Sequence, residues 1–213
     1  MRRLTVYDFD AANGVALAGG AYRFIYAVDI AVTVSSAGES VQIDADDGRF
    51  FNGPIEISGT GWMFELADAT VPLAISSELD PALSHMLDPA AFDGAAMLRA
   101  DRVASDLGAR TPLHGHRGPG IRRLVQGRIR ATIGDNLDRI EAGQAWFETG
   151  KDWVIGENIS EGENVFVRVM LLPAELRGGV SSFVPATPDQ AARPRAVTYR
   201  LFGEMEIEGG RPG

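Results

Sequence analysis

The chain has 213 residues, of which 45% are hydrophobic and 23% are charged, and it contains no Cys. This composition is typical of a globular protein with one large or two small domains. Without Cys the chain has no disulfide framework, no thiolate metal site and no cysteine nucleophile. The net charge of −9 arises in residues 1–110, which carry 7 Arg against 16 Asp and Glu. This acidity argues against a nucleic-acid binder.

The sequence lacks the roughly 18 consecutive apolar residues that a membrane-spanning helix needs. After Met1-Arg2-Arg3-Leu4 it continues to Asp8 and Asp10 without the apolar segment of a signal peptide. We therefore expect a cytoplasmic protein whose partners include neither a membrane nor a nucleic acid.

Short apolar runs separated by Gly, Asn and Asp dominate the sequence, with little helical periodicity. This pattern predicts an antiparallel all-β fold and is compatible with a sandwich or a barrel. The predicted strands lie at 22–34, 41–44, 50–51, 55–57 and 62–66 in the first half, and at 97–103, 121–133, 145–148, 165–172 and 198–207 in the second.

Residues 76–96 have a different pattern. Ser77 is a candidate N-cap, apolar residues follow from Leu79 at near-helical spacing, and Pro89 is a stop signal, so we expect a short helix and a domain boundary here. The predicted division is a first domain at 1–75, a linker with a short helix at 76–96 and a second domain at 97–213.

The two halves share one order of elements: a long paired strand region, a turn, a strand led by glycine, and an apolar return strand. The glycine-led strands are Gly48-Arg49-Phe50-Phe51 and Gly143-Gln144-Ala145-Trp146-Phe147. Such an internal repeat of a β unit predicts two stacked barrels. The last predicted strand, 198–207, follows a long connection and can pair back onto either half, including the N-terminal one.

A group of residues in the second half resembles a motif of the cupin superfamily. Gly108, five further residues, His114-Gly115-His116 and the downstream Gly127 fit the pattern G-x5-H-x-H-x3,4-E-x6-G. The glutamate of that pattern falls at Gly120 or Ile121, and neither residue can bind a metal. In the family's second motif, G-x5-P-x-G-x2-H-x3-N, Trp153 stands where the histidine belongs.

The resemblance covers 98–173 and, more weakly, 23–66. It makes the chain similar to a bicupin with a degenerate N-terminal barrel, and to a group of bacterial cupin-domain proteins. It implies two cupin-type double-stranded β-helix (jelly-roll) barrels, frequently dimeric, with small-molecule chemistry or binding in the barrel mouth. The superfamily includes dioxygenases, isomerases, lyases and sugar sensors, so the fold alone fixes no reaction.

His114 and His116 are two residues apart, so on a strand both side chains leave from the same face. With Glu148 as the preferred third ligand, and Asp152 or Glu157 as alternatives, they predict a site for one divalent transition metal, Fe, Mn, Ni or Zn. The alternative is a cavity without metal, in which the histidines are hydrogen-bonded polar residues. In that case His116 and Glu148 are the candidate catalytic acid and base.

Four further residues are candidates for ligand contact. Arg122 follows the predicted Gly118-Pro119-Gly120 turn and can bind a carboxylate or phosphate through its planar guanidinium. Trp146 shares a strand face with Glu148, and Arg168 lies on the return strand. Trp153, at the position of a family ligand, is expected to narrow the cavity.

These expectations combine into a small-molecule-binding bicupin that takes a small, anionic or polar organic ligand. Its C-terminal barrel is expected to contain the active site of a metal-assisted enzyme of the dioxygenase, isomerase or lyase type. The alternative is a non-catalytic ligand-binding or structural bicupin without metal. Because exposed strand edges need covering, the strands at 165–172 and 198–207 also predict a homodimer.

Overall fold

The computed structural model of the chain describes residues 1–88 and 94–207. Within these residues the chain forms 17 strands, one short α-helix and one 3₁₀ turn, and the paired strands in its sheets are antiparallel. The all-β prediction is therefore confirmed. No helix among these residues has the length and hydropathy to cross a bilayer.

The chain divides into two compact units, Met1–Ala90 and Ala91–Gly213. In the first unit seven strands form one sheet, in which β4, β3, β6, β1 and β7 are successive neighbours and β2 pairs with β5 and β6. Their bounds are Arg2–Leu17 (β1), Ala21–Ala27 (β2), Val32–Ser36 (β3), Glu39–Ile43 (β4), Asp47–Asn52 (β5), Ile55–Asp68 (β6) and Leu79–Met86 (β7).

The interior of the first unit is mostly apolar and contains one buried ion pair with a tyrosine beside it. The Nε atom of Arg23 lies 2.8 Å from Oε2 of Glu65, and the hydroxyl of Tyr7 donates to Oε1 of Glu65 over 3.3 Å. Burial, and secondly the charge of Glu65, raises the pKa of Tyr7 to about 12. The charged pair is thus satisfied inside the protein, as a buried ion pair must be.

The prediction of a helix within 76–96 is wrong for the described part of this segment. Leu79–Met86 is a strand, β7, that pairs with β1 along the edge of the sheet. The register shifts between Val6 and Tyr7, opposite Leu83 and Pro81, and proline is tolerated in an edge strand or at such an irregularity. The helical spacing of the apolar residues was therefore coincidental, and pairing with β1 decided the structure. The proposed stop, Pro89, lies outside the described residues.

The second unit consists of two five-stranded sheets, ordered β13-β10-β15-β8-β17 and β12-β11-β14-β9-β16. Between β16 and β17 lies the short helix α1, Pro188–Ala191. The strand bounds are Ala96–Ser105 (β8), His114–His116 (β9), Gly120–Gln126 (β10), Arg128–Ile133 (β11), Asn136–Glu141 (β12), Ala145–Glu148 (β13), Val154–Asn158 (β14), Asn164–Pro173 (β15), Phe183–Pro185 (β16) and Thr198–Ile207 (β17).

The last strand does not pair back onto the N-terminal half. Strand β17 pairs with β8 inside the second unit, with Tyr199 opposite Val103 and Leu201 opposite Asp101. Its long connection made its partner impossible to choose from the sequence, and the free edge of β8 is the partner that it takes.

Side chains from both sheets of the second unit line one cavity, so the sheets enclose it between them. This arrangement of antiparallel sheets around a cavity matches a cupin jelly roll. The count of two barrels stays a prediction.

Candidate functional site

The cavity of the second unit has an empty volume of about 640 Å³, counting the part that is open to solvent. Most of the residues around it are apolar, including Val103, Ile129 and Phe166. Its polar groups converge from both sheets, and five of the seven residues expected at a site are among them. These five are His114, His116, Arg122, Glu148 and Arg168.

Strand β9 carries both histidines into the cavity, as their spacing predicts. The Nδ1 atom of His114 lies 2.8 Å from the carbonyl oxygen of Pro112. Because a carbonyl oxygen can only accept a hydrogen bond, Nδ1 carries the ring proton and Nε2 is unprotonated. The His114 ring stacks on Phe183 with 4.5 Å between ring centroids. Burial lowers the pKa of His114.

His116 contacts His114 edge to face, with ring centroids 4.9 Å apart. Its Nε2 atom lies 3.4 Å from Oε2 of Glu148, and its Nδ1 atom lies 3.5 Å from the hydroxyl oxygen of Ser182. Burial, followed by the positive charges of Arg122 and Arg168, holds the pKa of His116 well below its usual value. At neutral pH His116 is therefore an uncharged imidazole that can accept a proton.

Arg122 and Glu148 form an ion pair at the centre of this group. Strand β10 pairs with β13, which brings Nη2 of Arg122 to 2.6 Å from Oε2 of Glu148. Arg122 is only 1% exposed, and Nη1 donates to the carbonyl oxygen of Gly120 over 2.6 Å. Burial lowers its pKa to about 10, which still leaves it charged at neutral pH.

The carboxylate of Glu148 is contacted at both oxygens. Trp146 Nε1 donates to Oε1 over 3.0 Å, and Arg122 faces Oε2. Yet neither Nη2 of Arg122 nor Oε2 of Glu148 makes an aligned hydrogen bond to any described residue. A buried donor and a buried acceptor without such bonds are groups that a ligand can satisfy.

Arg168 is held by a second acid. Its Nε and Nη2 atoms donate to the two carboxylate oxygens of Asp101 over 2.6 and 3.1 Å, and its guanidinium lies 5.3 Å from the ring centroid of Tyr199. Asp101 lines an adjoining cavity, which shares His116 and Arg168 with the first one.

Arg195 lies in the connection before β17 and lines both cavities. Its guanidinium lies 4.3 Å from the ring centroid of Phe183, and its Nη1 atom donates to the hydroxyl of Ser181 over 2.9 Å. Among residues 1–88 and 94–207 no carboxylate pairs with it. Neither Arg195 nor Tyr199 is predicted from sequence, because nothing in the local sequence shows that this connection reaches the cavity.

Trp153 is not part of the cavity wall. It is 46% exposed and lies beside Gly115, where a Cβ atom would be 3.4 Å from Cζ3 of the indole. The expectation that Trp153 narrows the cavity is therefore not met. Trp146, which shares the strand face of Glu148 as predicted, does line the cavity.

The described side chains do not fit a divalent metal held by His114, His116 and Glu148. No group of three His, Asp or Glu within the described residues is arranged to hold a metal. Nε2 of His116 faces the carboxylate of Glu148, and that carboxylate is already in contact with the Arg122 cation. A metal needs a lone pair from each of its ligands, whereas Nε2 of His116 and both oxygens of Glu148 face other protein groups.

Several solved structures share this fold at low sequence identity. AerE from Microcystis aeruginosa has a TM-score of 0.58 at 14% identity, covering 79% of this chain and 87% of that one. A cupin 2 conserved barrel domain protein from Leptotrichia buccalis has a TM-score of 0.52 at 9% identity, covering 80% and 83%. The Lactobacillus farciminis oxalate decarboxylase formate complex has a TM-score of 0.53 at 14% identity, covering 89% and 78%.

No family model and no curated protein matches the chain. At these identities the structural likenesses establish the fold and leave the activity open.

Proposed function

We propose that this protein, which has the fold of cupin-domain proteins, binds a small organic anion in the cavity of its second unit. The observation that carries the proposal is the set of charged groups around one largely apolar cavity. Arg122, Arg168 and Arg195 line it, whereas Glu148 is the one carboxylate on its wall among the described residues. With both histidines uncharged, the wall attracts negative charge.

The three arginines of the wall differ in the groups with which they pair. Arg122 is paired with Glu148, and Arg168 is paired with Asp101. Arg195 contacts an aromatic ring and a hydroxyl, so its guanidinium is available to pair with a carboxylate of the ligand. The apolar wall of Val103, Ile129 and Phe166 suits a hydrocarbon or aromatic body behind that carboxylate. One structure of similar fold is an oxalate decarboxylase in a formate complex, which agrees with a small carboxylate as ligand.

Benzoate, with its carboxylate and apolar ring, is the probe that tests the binding proposal. We expect benzoate to raise the melting temperature and to bind more tightly than the neutral benzamide, because a ligand of the native state stabilises it. Arg195→Gln should remove most of this preference. Arg193→Gln is the matched control, since Arg193 lies in the same connection and lines a different groove.

The proposal is wrong if benzoate binds no better than benzamide, or if Arg195→Gln and Arg193→Gln behave alike. The homodimer and the cytoplasmic location stay predictions, and light scattering tests the first of them.

A second candidate function, proton transfer on the bound anion, is favoured by the 3.4 Å contact between His116 and Glu148. The uncharged imidazole removes a proton from carbon next to a carbonyl group, and Glu148 stabilises the imidazolium that forms. Pyruvate tests this step: in D₂O the protein should speed exchange of its methyl protons, followed by NMR. The exchange should survive chelators and fall in His116→Gln and Glu148→Gln. Exchange that EDTA abolishes would contradict it.

A further inference from the structure

The most deeply buried charge of the cavity is a cation that belongs to the protein. Arg122 is 1% exposed, less than His114, His116, Glu148 or Arg168. A charge at such depth is tolerated only where the protein provides a close partner of opposite sign. Strand β13 provides Glu148, whose Oε2 atom lies 2.6 Å from Nη2 of Arg122.

This pair uses Glu148, the one carboxylate among the described residues of the cavity wall that a metal could bind. One oxygen of Glu148 accepts from Trp146 and the other faces Arg122. In the same cavity, His114 has a free Nε2 atom, and His116 lies edge to face beside it. Two imidazoles and a carboxylate are therefore present within one cavity, but a guanidinium holds the carboxylate.

A fixed cation also repels a second one. A divalent metal that contacted Oε2 of Glu148 would have to approach the Arg122 guanidinium with little water between them, where like charges repel far more strongly than in solution. Arg168 adds a further positive charge to the same cavity. The charges of Arg122 and Arg168 both disfavour a metal ion beside Glu148.

We infer that the Arg122 guanidinium takes the place of a metal ion in this cavity, and that it keeps divalent metals away from His114, His116 and Glu148. The cavity then has a permanent positive charge that does not depend on metal supply. Because Nη2 of Arg122 makes no aligned hydrogen bond to a described residue, it can donate to negative charge on a bound ligand. The inference rests on the ion pair and is independent of which ligand binds.

Cobalt(II) tests the inference, because its visible absorption reports the coordination by nitrogen and oxygen ligands. Wild-type protein without a His-tag, stripped with EDTA, should show no cobalt spectrum and no tight binding by calorimetry. Arg122→Met removes the charge and keeps an unbranched side chain of comparable apolar stem. It should gain about one Co²⁺ per chain and bind it about 100-fold more tightly than wild type, as removal of a close like charge allows.

Three control variants separate this effect from a general loosening of the fold. Arg123→Met is the matched control, since Arg123 is the next residue on β10, is 5% exposed and points to the other face of the strand. It should gain no cobalt. Arg122→Lys keeps the charge and should also gain none. Arg122→Met/Glu148→Gln should lose the cobalt that Arg122→Met gains.

Two results would overturn the inference. One is tight binding of Co²⁺ by the wild type that disappears in His114→Ala/His116→Ala. The other is an Arg122→Met protein that unfolds cooperatively, as the wild type does, yet binds cobalt no better. If Arg122→Met does not fold, Arg122→Gln replaces it, because its amide can still donate to the carbonyl oxygen of Gly120 and carries no charge.

Discussion

Arg168 and Asp101 lie directly opposite each other on β15 and β8 and form a bidentate ion pair with contacts of 2.6 and 3.1 Å. Both side chains are buried. The Coulomb attraction pulls the pKa of Arg168 upward, although burial opposes it. The register of these two strands thus places a positive group at the wall of the cavity and its acid partner at the adjoining cavity.

Removing one member of this pair should destabilise the second unit strongly. Asp101→Ala leaves a buried guanidinium without its acid, and we expect a loss of about 3–5 kcal/mol in the free energy of unfolding. The double variant Asp101→Leu/Arg168→Met removes both charges and should lose much less. Urea unfolding followed by tryptophan fluorescence measures both. Equal losses in the two variants would mean that the charges are not the cause.

Protonation of His116 should couple stability to pH. The pKa of His116 is held below its ordinary value of 6.5, mainly by burial, so the folded protein binds fewer protons than the unfolded chain. The stability contributed by the uncharged ring is present above pH 6.5 and is lost as the pH falls below it. As the pH falls from roughly 7 to 5, the free energy of unfolding should decrease less in His116→Gln than in the wild type. His85→Gln, in the first unit, should change this slope less, because His85 is only partly buried.

Tyr7 should produce a pH dependence of the opposite sign in the first unit. Its pKa is raised from 10.0 to about 12, so the folded state holds the hydroxyl proton more tightly than the unfolded state does. The resulting stability is complete below pH 10 and is lost as the pH rises towards 12. Tyr7→Phe should flatten the decline of the melting temperature over this range. A slope identical to that of the wild type would contradict this account.

Close contact between the Gly118-Pro119-Gly120 turn and β15 should make Gly118 intolerant of a side chain. A Cβ atom at Gly118 would lie 2.0 Å from the carbonyl oxygen of Leu171. We expect Gly118→Ala to cost about 1–3 kcal/mol, as overpacking does, and to weaken benzoate binding because the turn joins His116 to Arg122. Gly162→Ala is the matched control, since a Cβ atom there meets nothing within 4 Å. Similar melting temperatures for the two variants would show that the turn has room to move.

Local patterns were sufficient for the features that depend on neighbours in sequence. The spacing of His114 and His116 predicted that both rings face one side, and alternation placed Trp146 and Glu148 together. Arg122 was singled out by its position after the glycine turn. That its guanidinium approaches Glu148 depends on the pairing of β10 with β13, which no local pattern specifies.

Patterns failed where tertiary contacts decide the structure. The apolar spacing at Leu79, Leu83 and Met86 predicted a helix, but an open sheet edge at β1 made a strand of this segment. Arg195 and Tyr199 reach the cavity only because β17 pairs with β8. Trp153 was assigned by its position in a motif, and the indole lies on the exposed side of Gly115 instead.

The pairing of β8 with β17 has a consequence for the order of folding. These strands are the first and the last described strands of the second unit, yet they are neighbours in its sheet. Contacts between segments so distant along the chain form late, because a long loop must close before they contribute any stability. Hairpins between neighbouring strands can therefore form early, whereas the part of the cavity wall that contains Tyr199 forms last. Competence to hold a ligand should thus appear with the slowest refolding phase of this unit.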